Sequence, residues 1–116
     1  MRVISIFVAA TAMMLSTAAH AEPTAKELLG IVHAGGPNAS VMRTYVVGVS
    51  SGLLSANSEL ALDGQKQFYC QPRKLALTGD QVVQILRDYL EENPKLADDI
   101  VSPVVMEALK SAFPCP

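Results

Sequence analysis

Phe68-Tyr69-Cys70-Gln71-Pro72 at one end and Ala112-Phe113-Pro114-Cys115 at the other bracket the stretch that decides the fold. Its two cysteines are the only ones in the chain. Between them, Thr78-Gly79-Asp80-Gln81 has the T-x-x-Q form of a capping box, in which Thr78 and Gln81 each take up a free backbone amide at a helix start. Val82, Val83, Ile85, Leu86, Tyr89 and Leu90 then recur at helical spacing, with Asp80, Gln84, Arg87, Asp88, Glu91 and Glu92 on the other side. Asn93-Pro94 ends this helix, because proline disfavours helical backbone in the residue before it. Lys95 to Val101 reads as a short irregular or single-turn connector. Ser102-Pro103 then offers an N-cap with proline at the first helical position. A last helix to about Ala112 should bury Val105, Ala108, Leu109 and Ala112, and Pro114 stops it so that Cys115 can meet Cys70.

Working outward, Asp63-Gly64 marks a turn within a polar connection from Ser58 to Gln67. Before it, Val41, Tyr45, Val49 and Leu53 step by four and Met42, Val46 and Leu54 widen the apolar face, which predicts a helix from near Asn38–Ser40 to about Asn57. Gly48-x-x-x-Gly52, with Ser50 and Ser51, puts small residues on one side. Glycine costs about 1 kcal/mol inside a helix, so a close approach is expected there. Packing within the chain is the simpler reading, and a homodimer seam or partner groove is the alternative. Thr24-Ala25-Lys26-Glu27 is another capping box and opens a first helix from Ala25 to His33, ended by Gly35-Gly36-Pro37. The basic pair Arg73-Lys74 reads as a solvated loop.

Residues 1–21 read as a secretory signal peptide, with Arg2, an apolar run from Val3 to Leu15, and the small-residue site Ala19-His20-Ala21. The run is too short to span about 30 Å of hydrocarbon. Cleavage after Ala21 leaves residues 22–116 as one small domain, destined for the periplasm. In an oxidising compartment an even cysteine pair is read as a disulfide, and Cys70–Cys115 is the one intrachain pairing two cysteines allow. Closing that loop of about 46 residues restricts the unfolded chain by about 4 kcal/mol. A redox couple or metal site is the alternative, but redox motifs favour close spacing, and two thiols with His33, the one histidine of residues 22–116, make a poor zinc shell.

The whole chain carries a net charge of −2, which argues against nucleic acid as a partner. Trp is absent and aromatics are few, so the core should be built from Leu, Val, Ile and Ala. No catalytic residues stand out: the sequence holds no metalloprotease motif, phosphate loop or nucleophile motif, and nothing calls for a metal or other cofactor. The residues together predict an all-α, four-helix domain with one intrachain disulfide and a binding or structural role.

Tyr69-Cys70-x-Pro72, Thr78-Gly79-Asp80-Gln81, Tyr89-Leu90-x-x-Asn93-Pro94 and Glu107-Ala108-Leu109-x-x-Ala112-Phe113-Pro114-Cys115, in that order, resemble the Rap/Tai family of immunity proteins from type VI secretion systems. Tyr45-Val46-Val47-Gly48-Val49 resembles the family's Tyr-Val-x-Gly segment. The resemblance implies a small, helical, disulfide-bonded periplasmic protein that binds and blocks a peptidoglycan-cleaving amidase effector. A periplasmic stress or chaperone-like helical module is the alternative. On either reading a protein surface must be offered. The acidic residues Asp88, Glu91 and Glu92, with Asp98 and Asp99 beyond, form the candidate effector-binding surface, and the Gly48/Gly52 face is its rival.

Overall fold

The structure is a computed structural model that describes residues 22–116; the segment expected to be a signal peptide, residues 1–21, lies outside the described residues. Both predicted capping boxes form. Helix α1, Ala25–Ala34, is opened by Thr24, whose hydroxyl accepts from the Glu27 amide at 3.1 Å while the Glu27 carboxylate accepts from the Thr24 amide at 2.9 Å. Helix α3, Gly79–Glu92, repeats the device with Thr78 and Gln81 at 3.2 and 2.8 Å. After α3, Pro94–Asp98 forms one 3-10 turn, as the proline break requires.

Helix α2, Gly36–Leu62, is longer than the sequence reading at both ends. Gly35 and Gly36 reverse the chain with φ of 76° and 77°, so Pro37 falls in the first turn, where its missing amide is no loss. At the far end Glu59-Leu60-Ala61-Leu62 are strong helix formers and carry the helix past Asn57. Gly64, at φ 70°, then makes the expected turn.

Helix α4, Val101–Ala112, also departs from expectation. Ile100 occupies the cap position without a side-chain bond, and Ser102 and Pro103 lie inside the first turn. The lead-in to α1 supplies the cap instead: the Pro23 carbonyl accepts from the Val101 amide at 3.0 Å, and the Glu22 carboxylate accepts from the Ser102 amide at 2.7 Å. In return the Ala25 amide donates to the Asp99 carbonyl at 3.0 Å, and Thr24 pairs with Ile100 in an isolated antiparallel bridge.

Helix α2 packs against the other three helices. The core joins Leu28 and Val32 of α1, Val46 of α2, Val82, Val83, Leu86 and Leu90 of α3, and Val101, Val104, Val105 and Leu109 of α4 around Tyr69. Ala108 is buried as expected, but Ala112 is exposed because the helix ends there. On α2 the four-residue steps from Val41 to Leu53 drift by about 40° each, since a helix turns 100° per residue. Val41 is therefore 58% exposed, and the buried line is Ala39, Val46, Ser50 and Asn57.

Of the small residues of α2, Ser50 is buried, but Gly48 and Gly52 do not pack within the chain. A methyl group built on Gly48 or Gly52 would meet nothing within 4 Å. Close approach occurs instead at Gly79, where a Cβ would stand 2.9 Å from both the Cβ and the carbonyl oxygen of Arg43. There Arg43 Nε donates to Asp80 Oδ1 at 2.6 Å, fastening the start of α3 across α2.

Cys70 and Cys115 are bonded at 2.04 Å. The Cys70 amide also donates to the Phe113 carbonyl at 2.8 Å, tying the Phe68–Cys70 segment to the end of α4.

Candidate functional site

At 100° per residue, Asp88, Glu91 and Glu92 fall on one face of α3, and all three are exposed. Gln84 Nε2 donates to Asp88 Oδ1 at 2.6 Å and Arg87 donates to Gln84 Oε1 at 3.0 Å, so Asp88 is held along the helix. No hydrogen bond to protein holds the Glu91 or Glu92 side chain among the described residues. Acidic groups in the last turn oppose the helix macrodipole by about 0.3–1 kcal/mol each, and no basic residue of that turn offsets them. This end of α3 therefore retains a charge that local helix stability does not favour.

Asp88 and Glu92 rim a shallow depression of about 200 Å³ floored by Ile85, Tyr89, Ala108 and Ala112. A second hollow of about 460 Å³ lies beyond the 3-10 turn, with Leu96, Ile100, Pro103 and Val104 inside and Asp98, Asp99 and Glu107 around it. Ile100 is 49% exposed. An apolar centre within a charged rim is the anatomy of a protein interface. Asp88 and Glu92, with Asp98 and Asp99, thus flank apolar surface that the sequence reading did not identify, while Glu91 lines neither hollow. Ile100 falls in Lys95–Val101, which the sequence marks only as a connector, so nothing there signalled its exposure.

The segment carrying Cys70 is braced from inside. Asn57, 1% exposed, donates through Nδ2 to the Tyr69 carbonyl at 2.6 Å and accepts through Oδ1 from the Phe68 amide at 2.7 Å. The spacing of Ala39, Val46, Ser50 and Asn57 by seven, four and seven residues is the signal that could have placed this asparagine on the buried line.

Glu22 forms the second brace. Its carboxylate accepts from the Ser102 hydroxyl, from the Ser102 amide, and from the Tyr45 hydroxyl at 2.7 Å. The Ser102 hydroxyl, followed by Tyr45 and the Ser102 amide, holds the Glu22 pKa below the usual glutamate value, against an opposing effect of burial. Burial, followed by donation to Glu22, raises the Tyr45 phenol. Among the described residues no group of three His, Cys, Asp or Glu side chains is placed to hold a metal ion.

These features define a small disulfide-stapled helical protein with exposed charged and apolar surface. The family model of the Rap1a immunity proteins matches residues 24–115, and the chain belongs to that family. Membership implies binding to a partner effector protein. No curated protein and no solved structure matches the chain.

Proposed function

We infer that the protein is a periplasmic immunity protein that binds a peptidoglycan amidase effector of a type VI secretion system and blocks its active cleft. Membership of an immunity family over residues 24–115 carries this reading. Export supports it: residues 1–21 act as a cleaved signal peptide, and residues 22–116 form the working domain. Occlusion requires no chemistry from the inhibitor. A rigid scaffold loses less conformational entropy on binding, and the disulfide, the Asn57 brace and the Glu22 tie make this one rigid. No helix among the described residues is long and apolar enough to cross a membrane.

Asp88, Glu91 and Glu92 are the proposed effector contacts, meeting basic groups at the mouth of the cleft. Charge of this kind acts mainly on association rate. Replacing all three with neutral residues should slow association with the co-encoded amidase about tenfold or more and flatten its salt dependence, since steering is screened over about 8–10 Å. Surface plasmon resonance at several salt concentrations measures both. An unchanged on-rate and salt slope would exonerate this face and turn attention to Gly48/Gly52, which is also where a homodimer would have room to form. A protein that bound no co-encoded effector, yet kept acid-stressed clients from aggregating, would instead be a chaperone-like module.

A further inference from the structure

A groove unconnected with the acidic face runs between the second half of α2 and the loop leading from Cys70 to α3. It consists of two adjoining hollows of about 420 and 470 Å³ that share Leu54, Gln71 and Arg73. Each is within the range, about 300–1,000 Å³, of sites that accept a ligand or several side chains. Val47, Leu54, Leu75 and Leu77 give the first hollow its apolar lining, and Ala61, Leu62 and Pro72 give the second. Leu62 is 79% exposed at the open end. Along the helix wall no charged residue occurs between Arg43 and Glu59.

The opposite wall is cationic. Arg73 and Lys74 are exposed at the tip of a turn closed by the Leu75 amide donating to the Pro72 carbonyl at 2.9 Å. Gln71 Nε2 donates to the Leu75 carbonyl at 2.7 Å and braces the turn from inside, while Cys70, one residue earlier, is bonded to Cys115. The two ion pairs among the described residues are Arg43–Asp80 and Lys110–Glu107, so Arg73 and Lys74 carry no carboxylate of this chain. A pair that the sequence alone marks as a solvated loop is thus held, with fixed backbone, over an apolar trough.

We propose that this groove binds a segment of a partner protein that combines apolar side chains with carboxylates, the apolar groups resting on Leu54 and Leu75 and the carboxylates meeting Arg73 and Lys74. Charge complementarity selects this occupant. An anionic membrane is disfavoured, because polybasic attraction needs about 4–8 cations and the groove is lined by two, Arg73 and Lys74, on a protein of net charge −2. A planar surface would also touch only the rim of a trough. The preformed turn lowers the ordering cost of binding. The site does not depend on what the acidic face of α3 binds.

The test is an amide-resolved NMR titration of the mature, oxidised protein with a short synthetic peptide of leucines and aspartates, beside a control peptide with lysine in place of every aspartate. The acidic peptide should shift amides of residues 47–62 and 70–77 and leave the end of α3 unmoved. The double variant R73E/K74E should weaken binding about tenfold or more, as loss of charge-assisted contacts implies. Ser51→Trp, on the exposed helix wall, should abolish it by filling the trough. Both changes are at surface positions, and retained amide dispersion confirms the fold. Equal binding of the lysine peptide, or shifts confined to α3, would overturn the proposal. So would binding to phosphatidylglycerol vesicles without binding to the peptide, or concentration-dependent shifts of the groove in protein alone, which would mark it as a contact with a second copy.

Discussion

Replacing Asn57 with alanine tests whether the cystine segment is held by hydrogen bonds as well as by its covalent link. Two bonds are lost, at 2.6 Å to the Tyr69 carbonyl and 2.7 Å from the Phe68 amide. Phe68 is 50% exposed, so its amide can regain water, and the net loss there is about 1 kcal/mol. Tyr69 is fully buried, and an orphaned carbonyl beside it costs about 2 kcal/mol. Alanine returns roughly 0.5 kcal/mol of helix propensity. The net loss is about 2.5 kcal/mol. For the 95 residues Glu22–Pro116, an unfolding entropy of about 0.2 kcal/mol/K converts this to a fall in Tm of about 12 °C. Calorimetry of the oxidised protein measures it. Asn57→Asp keeps the acceptor for Phe68 but sets a second acceptor against the Tyr69 carbonyl, so it should be at least as damaging at neutral pH and partly recover when acid protonates the new carboxyl. A fall below about 5 °C for alanine, or an Asp variant insensitive to pH, would refute the hydrogen-bonded brace.

Tyr69→Phe should leave stability unchanged or raise it by about 1 kcal/mol, because the buried Tyr69 hydroxyl finds no partner among the described residues; a clear loss in urea melts would expose a partner. Gly48→Ala and Gly52→Ala should each stabilise by up to about 1 kcal/mol, whereas Gly79→Ala should destabilise by forcing Arg43 away, and thermal melts of the three variants separate these cases. Glu22 has a folded pKa depressed below the ordinary glutamate value, so its contribution is present above that ordinary value and is lost as pH falls through the folded pKa. Glu22→Gln should therefore be less stable than the parent at neutral pH, and the gap should close on acidification; a gap that persists in acid would contradict the assignment.

The elements legible in the sequence were those written in local chemistry. Thr24/Glu27 and Thr78/Gln81 state helix starts within four residues, and Asn93-Pro94 states a stop in two. The apolar period of α3 needed no knowledge of its neighbours, and the cysteine pairing had one intrachain solution. What failed was written in contacts between distant segments. Ser102-Pro103 looks like a cap but lies inside α4, because Glu22 and Pro23 perform the capping from the other end of the chain. Gly48 and Gly52 look like a packing face, yet the small residue that a neighbour requires is Gly79. Asn57 looks like a helix terminus because asparagine often is one; its buried role appears only once Tyr69 is placed beside it. At the candidate surface, the acidic residues were visible as charge. Ile100 and the Arg73-Lys74 turn became legible only when the fold showed what lay next to them.

The Glu22–Ser102 tie joins residues 80 positions apart, and that separation bears on the order in which the molecule can be assembled. A chain that emerges N-terminus first delivers Glu22, Pro23 and α1 long before Asp99–Ser102 exist as partners. Helix α1 has 10 residues, too few for an isolated helix to persist in water, whatever its cap contributes. Its early tertiary support must come from α2, the neighbour that follows it directly. The bridge between Thr24 and Ile100 can close only once Ile100 has emerged, and contacts of such long range are slow to form because the intervening chain must first be ordered. A nascent chain that stops before Asp99 would retain every signal needed to start α1 and lack the carbonyl that receives its first amide.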